Sequence, residues 1–120
     1  MNPVSRTIAI IDDDTAVCES TRFLLEIYDF AVLTYRGGPD FLTEDPDVAC
    51  LIVDYQMPGM SGLEFLSELR KGGNEVPAIM MTATVSPVLQ HQAAALGVKQ
   101  VLEKPLSNQA LVFAIEEELR

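Results

Sequence analysis

Basic residues are scarce in this chain. Eight Lys and Arg stand against 18 Asp and Glu, a formal net charge of −10 and a pI near 4.3 over 120 residues. So acidic a chain is a poor candidate for gripping a phosphate backbone; it suits metal cations or a basic partner surface. Long apolar runs are missing too. No stretch approaches the ~20 residues that a membrane-spanning helix needs, and Met1-Asn2-Pro3-Val4-Ser5-Arg6 has no apolar signal-peptide core, so no membrane association and a cytoplasmic location are expected. Cysteine is limited to Cys18 and Cys50, far apart in apolar contexts, and neither opens a C-x-x-C pattern. Two buried free thiols are expected rather than a disulfide. The one histidine, His91, falls mid-helix and reads as structural or exposed. Internal repeats, low-complexity segments and linkers are also lacking, and the length fits one domain. What the chain does have is apolar content, 48% of residues with a mean hydropathy of +0.19, enough for a real core.

The stretch that organises the rest is Leu51-Ile52-Val53-Asp54-Tyr55-Gln56-Met57-Pro58-Gly59. An apolar run ends abruptly in one carboxylate, and Pro and Gly follow. Short apolar runs bounded by turn signals read as buried strands, most often of a parallel sheet. Asp54 then sits at a strand's carboxyl end, where open α/β sheets bind ligands and do chemistry.

Taken in order, Thr7 to Ile11 is a β-branched apolar strand that runs into Asp12-Asp13-Asp14. Asp14 or Asp13 can cap a helix from about Thr15 to Tyr28, with Val17, Thr21, Leu24, Leu25 and Tyr28 as its buried face. Phe30 to Tyr35 reads as a weaker strand nearer an edge. Gly37-Gly38-Pro39 breaks the chain, a short helix begins at Pro39, and Asp45-Pro46-Asp47 is a loop. Cys50 to Val53 is the third strand. Ser61-x-x-Glu64 is a capping box that opens a helix, which Gly72-Gly73-Asn74 ends. Ala78 to Met81 is the fourth strand, followed by Thr82-Ala83-Thr84. Ser86-Pro87 starts a helix that runs to about Leu96 and closes at Gly97. Val98 to Leu102 is the fifth strand, followed by Glu103-Lys104-Pro105. Ser107 or Asn108 can cap the last helix, with Leu111, Val112, Ile115 and Leu119 as its apolar stripe and Glu116-Glu117-Glu118 as a solvated run. About five βα units in strict alternation predict a parallel sheet with helices on both faces. Right-handed crossovers then gather all the strand carboxyl ends at one edge.

Asp12, Asp13, Asp54, Thr82 and Lys104 therefore meet. Each has an ordinary explanation alone: a capping cluster, a strand-end threonine, a surface lysine. Their joint placement on four strand ends argues against those explanations together. Clustered carboxylates repel unless a cation relieves them, and an all-oxygen ligand set suits Mg²⁺, with Mn²⁺ as a substitute. A hydroxyl donor and a lysine suit phosphate. The set describes a pocket for a phosphoryl group on a carboxylate, with Asp54 as nucleophile.

Ile11-Asp12-Asp13-Asp14, Asp54 with Met57-Pro58-Gly59-Met60-Ser61-Gly62, Thr82-Ala83 and Lys104-Pro105 are together highly specific. Across nearly its whole length the chain resembles the receiver domain of bacterial two-component response regulators. The resemblance implies a flavodoxin-like three-layer α/β/α sandwich with sheet order 2-1-3-4-5. It implies that Asp54 accepts a phosphoryl group from a histidine of a sensor kinase, the chain acting only on its own phosphorylation and dephosphorylation. Asp13 and Asp54 would bind Mg²⁺ directly with the backbone carbonyl of Gln56, and Asp12 largely through water. Thr82 and the N–H of Ala83 would hold phosphoryl oxygens, Lys104 would pair with the phosphate, and the Lys104–Pro105 bond would be cis. Many receivers carry Tyr or Phe three residues before the lysine, a ring that moves on phosphorylation. Val101 stands there in this chain, so the signal is expected to pass mainly through the loop after Thr82 and the helix from about Pro87 to Leu96. The fourth helix, fifth strand and last helix would form the partner or phosphorylation-dependent homodimer face.

Three other functions are considered. An aspartyl-nucleophile phosphatase resembles D-x-D-x-[T/V], but Ala16 stands where Thr or Val belongs. A flavin mononucleotide module needs a Ser-, Thr- and Gly-rich loop after the first strand, where Asp12-Asp13-Asp14 would repel the phosphate. A pseudo-receiver, a pure interaction module, would lack residues that are present here. The chain stops just after the last predicted helix, so it is read as a single receiver domain, residues 1–120, whose output domain is absent from this chain or was never there. In this family such a domain is commonly DNA-binding, and Glu103-Lys104-Pro105-Leu106 leans toward a helix-turn-helix by analogy.

Overall fold

Side chains alternate along each strand, and here both alternate sets are apolar because both faces of the sheet are covered. In the computed structural model, which describes residues 6–120, Ile8, Ile10, Cys50, Ile52, Ile79 and Met81 face one core with Cys18, Leu25, Leu111, Val112 and Ile115. Ala9, Ile11, Leu51, Val53 and Met80 face the other with Phe41, Phe65, Leu66, Leu69, Leu89 and Ala93. Met1 to Ser5, part of the stretch read as lacking a signal-peptide core, lie outside the described residues.

The elements are β1 (Thr7–Ile11), α1 (Thr15–Ile27), β2 (Ala31–Tyr35), α2 (Gly38–Glu44), β3 (Cys50–Asp54), α3 (Gly62–Lys71), β4 (Ala78–Thr82), α4 (Pro87–Ala95), β5 (Gln100–Glu103) and α5 (Asn108–Leu119). All strand pairs are parallel and the sheet order is β2-β1-β3-β4-β5, the flavodoxin-like order that the resemblance implied. β2 is an edge strand, as its weaker sequence signal indicated. Among the described residues no helix is long and apolar enough to cross a membrane. Cys18 and Cys50 are free and buried, and burial pushes their thiols up to about 11 and about 12, so neither is a ready nucleophile.

Caps fall where the sequence placed them. Asp14 accepts the N–H groups of Ala16 and Val17, Ser61 and Glu64 complete the capping box, and Ser86 and Ser107 cap α4 and α5. Two strands start later than expected, and for the same reason. Behind α1, Asp29 takes a left-handed φ of 68°, and the N–H groups of Asp29 and Phe30 close on the carbonyls of Glu26 and Leu25. Behind α4, Gly97 has φ 80°, and the N–H groups of Gly97 and Val98 close on Ala94 and Ala93. Both are Schellman motifs. They draw buried Phe30 and Val98 into the helix closure, so β2 begins at Ala31 and β5 at Gln100. The inward stripe of α1 also differs from expectation. Cys18 and Leu25 are its buried residues, Val17, Thr21 and Leu24 are half-buried beside them, and Tyr28 is exposed at the helix end. Glu118 is half-buried rather than solvated, because its carboxylate accepts the side-chain amide of Gln100 at 2.8 Å.

Arg70 ties three segments on the other side of the sheet. Its guanidinium donates to the carbonyls of Leu96 at 2.9 Å, Asn74 at 3.0 Å and Val76 at 2.8 Å. The end of α4 is thus fastened to the loop that leads into β4.

The first turn of α3 packs directly on the end of β3. A Cβ on Gly62 would meet the backbone oxygen of Asp54 at 2.6 Å and the Cα of Tyr55 at 3.1 Å. Only glycine fits this approach, and the Gly62 N–H uses it to bond the Tyr55 carbonyl at 2.9 Å. Gly62→Ala is therefore expected to cost about 1–3 kcal/mol by overpacking. It should be read as a lower urea midpoint with an unchanged slope; a wild-type midpoint would contradict so close a contact.

Candidate functional site

The sheet order places β1, β3, β4 and β5 side by side, so their carboxyl ends form one rim. Asp12 and Asp13 follow β1, Asp54 is the last residue of β3, Thr82 is the last of β4 and Lys104 follows β5. Asp12, Asp54 and Thr82 are buried, while Asp13 is exposed at the mouth. One carboxylate oxygen from each of Asp12, Asp13 and Asp54 lies within 4.8 Å of the others. Lys104, reaching in from the far side, sets its Nζ 2.9 Å from Asp54 Oδ1 and 3.8 Å from Asp12 Oδ2. The Lys104–Pro105 bond is cis, as the resemblance implied.

Burial raises the pKa of Asp12. The N–H of Asp14, which Asp12 Oδ1 accepts at 3.0 Å, opposes the rise; the charges of Asp54 and Asp13 add to it, and Lys104 reduces it. For Lys104 burial acts downward, but the hydrogen bond to Asp54 and the charges of Asp12, Asp54 and Asp13 outweigh it and hold the ammonium above its ordinary value. Asp12 Oδ2 is buried and makes no hydrogen bond. A buried carboxylate oxygen without a hydrogen bond is costly, and the Lys104 ammonium at 3.8 Å offsets only part of that cost. That oxygen lies beside two further carboxylates, so the donor set fits a hard divalent cation, which takes oxygen ligands roughly 2.1 Å away.

Thr82 uses its hydroxyl locally. Oγ1 donates to the Thr84 carbonyl at 3.2 Å and accepts the Thr84 N–H at 3.3 Å, holding the loop after β4 in a tight turn. Ala83 is exposed on that turn, and Gln56 is exposed on the loop after β3. Val101 is half-buried against the core that includes Leu89 and Ala93. His91 is exposed on α4, away from the rim. One contact at the rim carried no sequence signal. Glu103 Oε1 accepts the N–H of Val85 at 3.1 Å, crossing from β5 to the loop before α4. An acidic residue at a strand end is too common for spacing to single it out.

The response regulator receiver domain family matches residues 8–116. The transcriptional regulatory protein FixJ of Azorhizobium caulinodans is 39% identical over 119 residues, covering 98% of this chain and 56% of that protein. The response regulator StyR aligns in structure with a TM-score of 0.87 and 35% identity, covering 94% of this chain and 58% of StyR. The chemotaxis protein CheY4 of Vibrio cholerae aligns with a TM-score of 0.90 over 97% of this chain and all of CheY4; at 23% identity that likeness shows the fold alone. The chain spans about half the length of the curated relatives it matches. With the buried aspartate, the acid pair, the threonine and the lysine gathered on one rim, the chain belongs to the response regulator receiver domain family.

Proposed function

We propose that residues 1–120 form a single receiver domain that accepts a phosphoryl group on Asp54 from a histidine of a sensor kinase. The observation that carries the reading is the Asp54 carboxylate, buried at the end of β3 and held 2.9 Å from Lys104 among two further carboxylates. In the transfer an Asp54 oxygen forms the new O–P bond while the P–N bond to histidine breaks, its electron pair staying on the imidazole nitrogen. Lys104 balances charge on the phosphoryl oxygens as a mobile point charge. Thr82, once its hydroxyl turns from Thr84, and the N–H of Ala83 hold further oxygens. Asp13, Asp54 and the Gln56 carbonyl are assigned to Mg²⁺ directly and Asp12 through water, with Mn²⁺ as a substitute. When bound, the cation supplies positive charge that relieves the carboxylates and the incoming phosphoryl group. The chain acts on its own phosphorylation and dephosphorylation and on no other substrate.

The output is read through the face of α4, β5 and α5, toward an output domain, a downstream protein or a second copy. The similarity to FixJ, named a transcriptional regulatory protein, supports transcription as the outcome, with DNA contacted by a part other than this acidic domain.

Three outcomes test the site. Incubated with acetyl phosphate and Mg²⁺, the wild type should gain the mass of one phosphoryl group and Asp54→Asn none; equal labelling of the two would remove Asp54 from its role. Mg²⁺ or Mn²⁺ alone should raise the melting temperature by mass action, about 1–3 kcal/mol of added stability at tens to hundreds of times the Kd. Asp13→Ala should lose most of that rise, and retention of the full shift would exclude Asp13 as a direct ligand.

The third outcome concerns Asp12 without metal. Because burial raises its pKa above the ordinary 3.8, the folded state holds the Asp12 proton more tightly than the unfolded state. Its contribution to stability is complete below about pH 4 and is lost as pH rises through the raised value. Asp12→Asn should therefore match wild type in acid and melt higher than wild type at neutral pH. A lower melting point at neutral pH in metal-free buffer would contradict the electrostatic account.

A further inference from the structure

We infer that Glu103 is a positioning residue whose carboxylate straps the loop after β4 to β5 and so holds back phosphoryl acceptance at Asp54. The inference deepens the phosphoacceptor reading and rests on it.

Residues 103 and 104 are consecutive at the end of β5 and act on different targets. The Lys104 side chain reaches into the acid pocket, while its backbone N–H bonds the Thr82 carbonyl at 2.8 Å. Glu103 is opposite Thr82 in the β4–β5 register and reaches along the rim to the N–H of Val85. Successive strand residues point to opposite sides, so one dipeptide holds both the acceptor carboxylate and the loop beside it.

That loop has two side-chain ties before the Ser86 cap of α4: the Thr82 hydroxyl on Thr84 and the Glu103 carboxylate on Val85. The first cannot survive if the Thr82 hydroxyl is given to a phosphoryl oxygen, because one hydroxyl has one proton to donate. The second depends on no atom of the pocket. A charged acceptor also strengthens a bond to a neutral N–H, and a carboxylate one residue before the α4 cap lies at the positive end of the helix dipole. Glu103 thus stabilises the arrangement in which Thr82 faces Thr84 rather than Asp54. A group that binds one of two arrangements shifts the balance toward it by its differential interaction. Glu103 is exposed and belongs to neither core, so its loss leaves both cores intact.

The test uses the full chain as wild type, Glu103→Ala, Glu103→Gln and Asp54→Asn. The rate of phosphorylation by acetyl phosphate with Mg²⁺ is followed by intact mass, and amide exchange is measured on the unphosphorylated proteins. Glu103→Ala should label about threefold faster, still with one phosphoryl group, and its amides over residues 83–92 should exchange faster while those of 99–103 do not. Glu103→Gln keeps an acceptor without the charge and should fall between. Its melting temperature and that of Glu103→Ala should stay near wild type, which separates the rate effect from general loosening. A Glu103→Ala protein that labels at the wild-type rate or slower, while wild type labels normally, overturns the inference and leaves Asp54 as acceptor. Unchanged exchange over 83–92 overturns it as well. Wild type that takes up no phosphoryl group overturns the phosphoacceptor reading itself, and the inference with it.

Discussion

The ion pair between Lys104 and Asp54 is the contact on which the rim depends. Three carboxylates gathered within 4.8 Å, two of them buried, would repel strongly in so dry a place. Lys104, about two-thirds buried, brings one positive charge to within 2.9 Å of Asp54 and 3.8 Å of Asp12. One charge cannot balance three. Asp54 takes the short contact, and Asp12 is left with a buried oxygen that bonds nothing. Removing one partner of a buried pair costs more than the pair itself contributes, because the remaining charge is stranded. The rim therefore holds stored electrostatic cost that added positive charge would relieve.

The rest of the fold makes that concentration of charge affordable by being almost wholly apolar beneath it. β1, β3 and β4 stand side by side in the middle of the sheet and are buried almost throughout, with the buried carboxylates and hydroxyl at their carboxyl ends. Gly62 lets α3 close on the backbone of Asp54, so that carboxylate stands on a strand end held by close packing. A carboxylate on a mobile loop would be solvated and would gain little from a neighbouring lysine; on this frame it cannot move away from its neighbours.

Most of this was legible in the sequence because the signals were local and repeated. Apolar runs ending in Asp54 or Thr82, a capping box at Ser61 and proline at the start of α4 each fix an element by its own residues. The strand ends then converge by topology alone. The misses have one physical character. Phe30 and Val98 look like strand residues, yet the Schellman closures behind α1 and α4 claim their N–H groups. Whether an apolar residue finishes a helix or begins a strand depends on the hydrogen bonds of the preceding turn, which periodicity does not report. Glu118 on Gln100 and Glu103 on Val85 were illegible for a related reason: each joins positions 18 residues apart through an acidic side chain that looks solvated in sequence.

The two ends of α4 are held by bonds of different kinds. At its C-terminal end the helix is closed by the Gly97 and Val98 N–H groups, and Arg70 holds the Leu96 carbonyl while also bonding Asn74 and Val76. Freeing that end would break several bonds at once, one of them from a charged donor. At its N-terminal end the ties run through the loop after β4 and the helix cap: the buried Thr82 hydroxyl bonds the Thr84 carbonyl and N–H, the exposed Glu103 carboxylate accepts the Val85 N–H, and Ser86 accepts the Leu89 N–H. In the first turn of α4 the large apolar side chain of Val88 faces solvent. Val101, β-branched and stiff at χ1, is half-buried in the packing beneath. The start of α4 thus carries an exposed apolar side chain beside the loop that the Thr82 hydroxyl and the Glu103 carboxylate hold, and position 101 takes no part in those bonds.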